Sequence, residues 1–331
     1  MKAPWVVILA GGAGTRFWPR SRRARPKPCL ALLDDRSLLQ ATIDRITPLV
    51  PRMLVVTGVD MADAIRAAAP GLPADHFLVE PSPRNTAPAL ALALREVERR
   101  GGDGMIVLPS DHRIVDEAGF RDRIGAALAA AETGALVLLG VRPTGPRVGF
   151  GWIVPGAAIG PGLRQVTRFV EKPPPPVVDA LLADGASWNA GIFVWTTKAF
   201  REALGACLPA TLAAVEAEDW AATDTISVDH GVIERWGHRL VVEADVGWDD
   251  LGSWPAMEAV YPAAPGGVAR ETTVFAEGAS GNIVDAPGRL VVLLGVEDLV
   301  IVEDGGVWMV AAKSALDRLP ALAAKLPAGE R

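Results

Sequence analysis

Short runs of continuously apolar residues alternate with stretches of helical spacing through the first half of this chain. Four of the runs predict strands, at residues 5–10, 53–57, 105–108 and 135–141. Such continuous hydrophobicity is typical of a sheet that is covered on both faces, because neither face of its strands meets water. The stretches between the runs predict helices, at residues 37–49, 61–69, 87–100 and 119–131. This order predicts an α/β fold with a doubly wound, mostly parallel, Rossmann-like sheet.

The second part of the chain has a different pattern. Residues 149–155 and 165–170 predict two strands around an irregular connection, and the prolines at 173–176 predict a stiff extended segment that starts no helix on its own. Further β-like runs lie at residues 272–275, 282–285, 290–294, 299–302 and 307–311.

The domain organisation follows from a segment rich in proline and glycine at residues 261–267, which predicts a linker. We expect a large domain at residues 1–262 and a small, β-rich, short β-helix-like domain at residues 268–331. Leucines on one side of residues 313–326 predict a closing helix for the small domain, although Pro320 weakens it.

Composition narrows the class of protein. Half of the residues are hydrophobic and 22% are charged, which excludes a disordered or fibrous chain, and the net charge of −6 argues against a nucleic-acid-binding surface. Two cysteines, Cys29 and Cys207, cannot form a disulfide framework. No run approaches the ~20 apolar residues of a membrane span, and the first residues carry no signal-peptide pattern. We expect a soluble, cytoplasmic protein that binds neither nucleic acid nor membrane.

The first predicted strand runs directly into a glycine loop, Gly11-Gly12-Ala13-Gly14-Thr15-Arg16. Glycines at this place let backbone N–H groups approach an anionic ligand. The loop is not a P-loop, because Thr15 and Arg16 follow Gly14 where Lys and Ser or Thr are needed. It also fails the dinucleotide fingerprint, because Phe17 stands in place of the third glycine, and this disfavours a dehydrogenase.

Positive charge is concentrated just after this loop, in a segment that contains no acid. Its cations are Arg16, Arg20, Arg22, Arg23, Arg25 and Lys27. A charge run is usually a solvated surface, and the glycines alone fit an ordinary strand-to-helix turn. The two features together favour a site for a triphosphate and for the charge that develops on a leaving pyrophosphate.

Asp111 follows a predicted strand, and a second acidic site, the pair Asp249-Asp250, lies far along the chain. Ligands in doubly wound folds bind outside the carboxyl ends of the strands, which makes Asp111 a candidate site residue rather than a turn residue only. The four histidines show no zinc-ligand spacing, and the chain has no Gly-x-Ser-x-Gly nucleophile motif. We expect His112 to be a hydrogen-bonded neighbour of Asp111.

Several of these segments resemble one known family. The loop from Leu9 to Arg16, with Trp18-Pro19 and Pro26-Lys27 after it, is similar to the signature of the sugar-1-phosphate nucleotidylyltransferases. Trp18-Pro19 and Ser37-Leu38-Leu39-Gln40 resemble the mannose-1-phosphate guanylyltransferase branch in particular. The segments around Asp111 and Asp250 are similar to two further motifs, and the ordered series spans roughly residues 6–254.

The resemblance implies a nucleotidyltransferase sheet and a reaction of GTP with α-D-mannose 1-phosphate that gives GDP-mannose and pyrophosphate. It implies Mg²⁺ as the cofactor, held by Asp111 and Asp250, with Asp249 as a supporting neighbour. The catalytic residues that it implies are Arg16, Lys27, Asp111, Lys172 and Asp250. The nucleotide-binding residues that it implies are Leu9, Ala10, Gly11, Gly12, Gly14, Thr15, Arg16, Lys27, Arg84, Asn85, Thr86, Ser110 and Asp111.

Base and sugar recognition are implied by shorter motifs. Arg84-Asn85-Thr86 resembles the guanine-site motif, although the same residues also fit a helix cap. The sugar-phosphate residues that the resemblance implies are Gly149, Phe150, Gly151, Glu171, Lys172, Asn189 and Gly191. We expect Trp188 and Trp248 to be core or wall residues rather than chemical participants.

The chain departs from the family pattern at a few positions. Pro83 stands where glycine is common and Phe150 where tyrosine is common, so one hydroxyl contact to the sugar is lost. Pro28-Cys29 replaces Gln-Phe, and Ser110 replaces alanine.

Two other functions stay open. The chain fits another sugar-1-phosphate nucleotidylyltransferase, using dTTP or UTP or a different hexose or heptose phosphate, or else a non-catalytic paralogue that binds a sugar nucleotide. Longer relatives continue into a phosphomannose isomerase domain, and we expect the transferase alone here. A homodimer is a further expectation from the resemblance.

Overall fold

The fold is known from a computed structural model that describes residues 1–12 and 14–327. Ala13 of the glycine loop and residues 328–331 of the expected small domain lie outside the described residues. Within that description, no helix is both long and apolar enough to cross a membrane.

The large sheet and its helices occupy most of the chain. The strands of the sheet are β1 (Pro4–Leu9), β2 (Met53–Gly58), β3 (Phe77–Glu80), β4 (Gly104–Pro109), β5 (Leu136–Val141), β6 (Gly151–Gly160), β7 (Leu163–Glu171), β8 (Ser187–Thr196) and β9 (Arg239–Glu243). The helices are α1 (Leu38–Ile46), α2 (Ala62–Ala68), α3 (Thr86–Arg99), α4 (Glu117–Ala131), α5 (Pro175–Ala183), α6 (Thr197–Cys207), α7 (Pro209–Glu216) and, near the end, α8 (Leu319–Ala323).

The sheet is mixed, with a parallel half that carries the glycine loop. Its strand order is β3-β2-β1-β4-β8-β5-β9-β7-β6. The neighbours from β3 to β4 are parallel, as are β5 and β9, whereas β8 runs antiparallel between β4 and β5. The α/β fold with a Rossmann-like parallel half is therefore confirmed, and the predicted strands of the sheet are correct to within a residue or two.

Both faces of the sheet are covered, as the continuous hydrophobicity requires. Successive residues of a strand point to opposite faces, so Val6 and Ile8 pack in one core cluster and Trp5 and Val7 in the other. Helices α1, α2 and α4 supply the first cluster, and α3, α6 and α7 supply the second.

The last part of the chain is β-rich, as predicted. Its strands are β10 (Ala263–Ala264), β11 (Gly267–Arg270), β12 (Thr273–Glu277), β13 (Asn282–Asp285), β14 (Leu290–Leu294), β15 (Leu299–Asp304) and β16 (Val307–Ala312). Strands β11, β13 and β15 stack in parallel, and β12 and β14 form a second parallel pair, as in the turns of a short β-helix.

This region shares a hydrophobic core with the beginning of the chain. Phe17 and Leu38 pack in one cluster with Trp254, Ile283 and Val300. The small region therefore contacts the segment that follows the glycine loop, which brings the ends of the chain together.

Three local predictions are wrong. The proline run starts a helix after all, because α5 begins at Pro175, and proline is tolerated in a first turn, where its missing N–H has no partner in the helix anyway. The expected closing helix is divided into a 3₁₀ helix, Lys313–Arg318, and α8, with Pro320 in the first turn of α8. The expected linker is ordered structure, because Tyr261 is buried and β10 and β11 begin within it.

Candidate active site

Two adjoining clefts open where the parallel strands end. The larger has a volume of about 510 Å³ and is lined by Leu9, Glu80 and Pro109, the last residues of β1, β3 and β4. The smaller, which we call the phosphate cleft, has a volume of about 440 Å³ and is lined by Gly12, Gly14, Thr15, Arg16, Lys27, Asp111, His112, Asp250, Gly252 and Pro320. Gly12, His112 and Asp250 line both clefts, so a ligand can extend from one into the other.

The glycine loop forms one wall of the phosphate cleft. Gly14 has a φ of +66°, a left-handed conformation that glycine adopts at little cost. An added Cβ at Gly14 would overlap the side chain of Lys27, whereas one at Gly12 would meet nothing within 4 Å. Arg16 is exposed at this cleft and has no ion-pair partner among residues 1–12 and 14–327. The loop thus keeps Lys27 in place and leaves Arg16 available to an anion.

Substituting Gly14 by alanine is expected to destabilise the protein by about 2 kcal/mol or more, since it adds left-handed strain to a clash with Lys27. Chemical denaturation measures the loss. Gly12→Ala is the matched control, and it should change the free energy of unfolding by no more than ~0.5 kcal/mol. Equal losses in the two variants would contradict this account of Gly14.

Lys27 joins the two acidic segments that the sequence places far apart. Its side chain is buried, and its Nζ lies 2.8 Å from Oδ2 of Asp111 and donates to the backbone oxygen of Asp250 at 3.0 Å. Burial, the largest single effect, acts to raise the pKa of the Asp111 carboxyl, but the charges of Lys27 and His112 and the hydrogen bonds to the carboxylate together outweigh it, so that the pKa is lowered. Burial raises the pKa of the Asp250 carboxyl, with the charge of Lys27 opposing and the charges of Asp249 and Asp111 adding to the rise.

The chemistry of these donors fits a hard divalent cation. Asp111 and Asp250 present carboxylate oxygens to one cleft, and Mg²⁺ takes few protein oxygens because phosphates and water complete its shell. A cation there would also relieve the repulsion between the two carboxylates. No group of three or more His, Cys, Asp or Glu side chains suited to a metal lies within the described part of the chain. The donor set therefore suits a cation shared with a phosphate-bearing ligand.

Most of the basic segment points away from the clefts. Arg20 donates to Asp285, a fully buried carboxylate, and Arg20, Arg22 and Arg25 all pair with Asp304. The segment is thus anchored to β13 and β15 of the small region. Arg23 pairs with Asp60 at the surface. Of the six cations in this segment, Arg16 and Lys27 line the phosphate cleft.

Polar groups lie together at one end of the larger cleft. We call it the β8 end and define it by Glu171, Asn189 and Asp229. Asn189 donates from Nδ2 to Oδ1 of Asp229 at 2.9 Å, and its Oδ1 accepts from the backbone N–H of Gly191 at 3.1 Å. An added Cβ at Gly151 would lie 2.6 Å from Oε2 of Glu171, so this glycine makes room for the carboxylate. Burial, together with the nearby charge of Glu171, raises the pKa of Asp229 to about 6.

Aromatic rings form a wall beside this end. The ring centroid of Phe150 lies 5.1 Å from that of Trp188 and 5.6 Å from that of Trp248, both in edge-to-face contact. Trp248 donates from Nε1 to Nδ1 of His112 at 3.1 Å, and burial lowers the pKa of His112 to about 4, so the imidazole is a neutral acceptor. The prediction of a wall role for the tryptophans agrees with these contacts, whereas the hydrogen bond of His112 goes to Trp248 rather than to Asp111.

The opposite, β3 end of the larger cleft is mainly apolar and is lined by Leu9, Val56, Glu80, Pro83, Asn85 and Ala89. Asn85 caps α3 as predicted, since its Oδ1 accepts from the N–H of Thr86. Thr86 in turn accepts from the backbone N–H of Val228, which leads into Asp229. Arg84 donates to the loop at residues 221–225 and does not line this cleft.

The clefts bring together most of the residues that the sequence singled out. Among the described residues, four predicted site residues line neither cleft, namely Ala10, Arg84, Ser110 and Lys172. Lys172 lies at the surface, with its Nζ 2.9 Å from Oε1 of Glu171. Sequence reasoning missed Glu80 and Asp229. The signals in the sequence were weak. Glu80 ends the short apolar run 77–80, and Asp229 lies shortly before the apolar pair Val232-Ile233.

Comparison with known proteins agrees with this geometry. The family described as nucleotidyl transferase matches residues 5–264. The xanthan biosynthesis protein XanB of Xanthomonas campestris pv. campestris (strain B100) is 34% identical over an alignment 346 residues long, which covers 98% of this chain and 73% of that protein. The mannose-1-phosphate guanylyltransferase ManC of Salmonella typhimurium is 32% identical over an alignment 363 residues long, which covers 99% of this chain and 74% of that protein.

Solved structures give the same result. A protein of Thermus thermophilus, described as a mannose-1-phosphate geranyltransferase, superposes with a TM-score of 0.88 at 33% identity and covers 98% of this chain and 99% of its own. With the family match over residues 5–264 and relatives above 30% identity along almost its whole length, this chain belongs to the nucleotidyl transferase family.

Proposed function

We propose that this protein transfers the guanylyl group of GTP to α-D-mannose 1-phosphate, producing GDP-mannose and pyrophosphate. The observation that carries the proposal is the junction of the two clefts at Asp250, beside Asp111 and Lys27, which suits a triphosphate in the phosphate cleft and the base and the sugar in the larger cleft. The relatives named mannose-1-phosphate guanylyltransferase support the choice of substrates.

The reaction is an in-line displacement that needs no covalent intermediate with the enzyme. A phosphate oxygen of mannose 1-phosphate attacks the α-phosphorus of GTP, a new oxygen–phosphorus bond forms, and the bond to the β-phosphate breaks. Pyrophosphate leaves with both bonding electrons and with the negative charge. Catalysis comes from holding the two phosphates in line and from neutralising the charge that develops on the leaving group.

The residues of the two clefts divide this work. Arg16 and Lys27 hold the triphosphate and neutralise the leaving pyrophosphate. Asp111 and Asp250 would hold Mg²⁺, which would supply positive charge that neutralises the reacting phosphates. Lys172, at the surface beside Glu171, orients the sugar phosphate. At the β8 end, Glu171 accepts hydrogen bonds from the sugar hydroxyls, and Asn189 accepts from them and donates to them.

The organisation of the chain is part of the proposal. We assign catalysis to residues 1–262 and a supporting role to residues 268–331, whose contacts with the basic segment hold the phosphate cleft in shape. A homodimer is also proposed, and sedimentation that shows only monomer at micromolar concentration would remove it.

Pyrophosphate release in the presence of Mg²⁺ and mannose 1-phosphate tests the proposed function, with GTP, dTTP, UTP and ATP compared and the best nucleotide repeated with glucose 1-phosphate. We expect the highest kcat/KM with GTP and mannose 1-phosphate. A different preferred nucleotide or sugar would overturn the assignment of that substrate and leave the reaction type in place. Release with none of the pairs would favour the non-catalytic paralogue.

A further inference from the structure

One buried acid at the β3 end of the larger cleft has no structural partner. Glu80 is 7% exposed, and its Oε1 is buried without a hydrogen-bond partner among the described residues. No cation of the described chain pairs with it, and burial alone raises its pKa to about 7. A buried carboxyl without a partner costs stability, so the fold does not account for an acid at this position.

The residues around Glu80 indicate the chemistry of a ligand that could pair with it. Leu9, Val56 and Ala89 give the β3 end apolar walls, and an ideal Cβ at Gly11 would lie 3.7 Å from Oε2 of Glu80, so the carboxylate packs against the glycine loop. Asn85 has its Oδ1 committed to the N–H of Thr86, which leaves its Nδ2 as a donor. The β3 end therefore fits a flat, apolar ring with N–H donors on one edge and a carbonyl beside them.

Guanine alone among the common bases has that edge. Its N1–H and N2 amino group are adjacent donors that match the two oxygens of one carboxylate, and its O6 accepts a hydrogen bond. Adenine and cytosine present a ring nitrogen acceptor in place of N1–H, and uracil and thymine have a single N–H between two carbonyls. A partner with two donors also removes the cost of the buried carboxylate.

Building on the proposed function, we propose that Glu80 determines the nucleotide specificity of the enzyme by accepting hydrogen bonds from N1–H and the N2 amino group of guanine. Asn85 donates to O6 of the same base. Arg84 then acts at a distance, because its contacts hold the loop at residues 221–225 against the start of α3.

Inosine triphosphate tests this assignment, because its base is guanine without the N2 amino group. We expect the wild-type protein to use GTP with a kcat/KM about 10- to 100-fold higher than that for ITP, the range for a lost hydrogen bond to a charged group. In Glu80→Gln, the GTP/ITP ratio should fall to near one, mainly through a higher KM for GTP. The kcat/KM for ITP should change much less, since glutamine still accepts from N1–H.

Two controls separate specificity from structure. Glu80→Gln should have an unchanged or higher Tm, because the carboxyl makes no contact that the amide loses. Asp229→Asn changes an acid at the β8 end of the larger cleft, and it should weaken the use of mannose 1-phosphate while leaving the GTP/ITP ratio at the wild-type value.

A wild-type GTP/ITP ratio near one would overturn the proposal without any variant. The proposal would also be overturned if Glu80→Gln kept the wild-type GTP/ITP ratio, or if Asp229→Asn, rather than Glu80→Gln, lowered that ratio to near one. These results leave GTP turnover intact and so differ from failure of the proposed function, in which GTP and mannose 1-phosphate would not be used at all.

Discussion

Asparagine in place of Asp250 is expected to lower kcat by about 10²- to 10³-fold or more, the loss typical of removing one electrostatic contact to a transition state. Asp250 lines both clefts and, with Asp111, offers the carboxylate oxygens that suit Mg²⁺. Pyrophosphate release over a range of Mg²⁺ concentrations measures the effect. The variant should need far more Mg²⁺ than the wild-type protein to reach its residual activity.

The fold of the Asp250→Asn variant should be intact, because burial already disfavours the charged form of this carboxyl and the neutral amide is nearly isosteric. The adjacent acid provides a matched control. Oδ1 of Asp249 accepts from the backbone N–H of Leu251, a bond that an asparagine oxygen can keep. Asp249→Asn should therefore lose less than about tenfold in kcat. Near-normal turnover in Asp250→Asn, or equal losses in both variants, would rule out the assigned metal ligands.

Asparagine at Asp285 is expected to destabilise the protein by ~3–5 kcal/mol, the usual cost of removing one partner from a buried ionic cluster. Asp285 is fully buried and accepts from Arg20, Arg270 and the hydroxyl of Tyr261. Its loss leaves the largely buried Arg270 without an acidic partner among the described residues and leaves Arg20 with Asp304 alone. Denaturant unfolding measures the change in the free energy of unfolding, and turnover should fall as well because Arg20 belongs to the segment beside the phosphate cleft.

The exposed pair between Arg23 and Asp60 is the control for this prediction. It lies in the same basic segment with a comparable separation of 2.9 Å, but its side chains are 73% and 65% exposed. Because solvent screens such pairs, Asp60→Asn should change the free energy of unfolding by no more than ~1 kcal/mol. A similar loss in both variants would show that burial of Asp285 is not the source of the effect.

Local patterns were sufficient to predict the parallel core and the loops at its carboxyl edge. β1 and β4 are continuous apolar runs, and the residues directly after them, Gly11 to Arg16 and Asp111, had to lie at one edge of the sheet. Asp250 belongs to no such strand, and its place came from the resemblance to a family rather than from periodicity. Its contact with Lys27 confirms that the two segments meet.

Features that depend on distant contacts could not be predicted. Nothing local distinguishes Arg16 from Arg20, yet one faces the phosphate cleft and the other pairs with an aspartate 265 residues away. Strand β3 is four residues long and ends in a charged residue, so its apolar pattern was too short to detect and Glu80 was missed with it. The helix at Pro175 was missed because a proline run is equally compatible with an extended segment and with the first turn of a helix.

The anchoring of the basic segment has a consequence for how the protein matures. Synthesis proceeds from the N-terminus, so the glycine loop with Arg16 and Lys27 leaves the ribosome before the β-rich region. The carboxylates that hold Arg20, Arg22 and Arg25, namely Asp285 and Asp304, are made later, and they follow Arg20 by 265 and 284 residues. The parallel core can therefore assemble before β13 and β15 exist, whereas the basic segment beside the phosphate cleft reaches its final place only after both strands have been made.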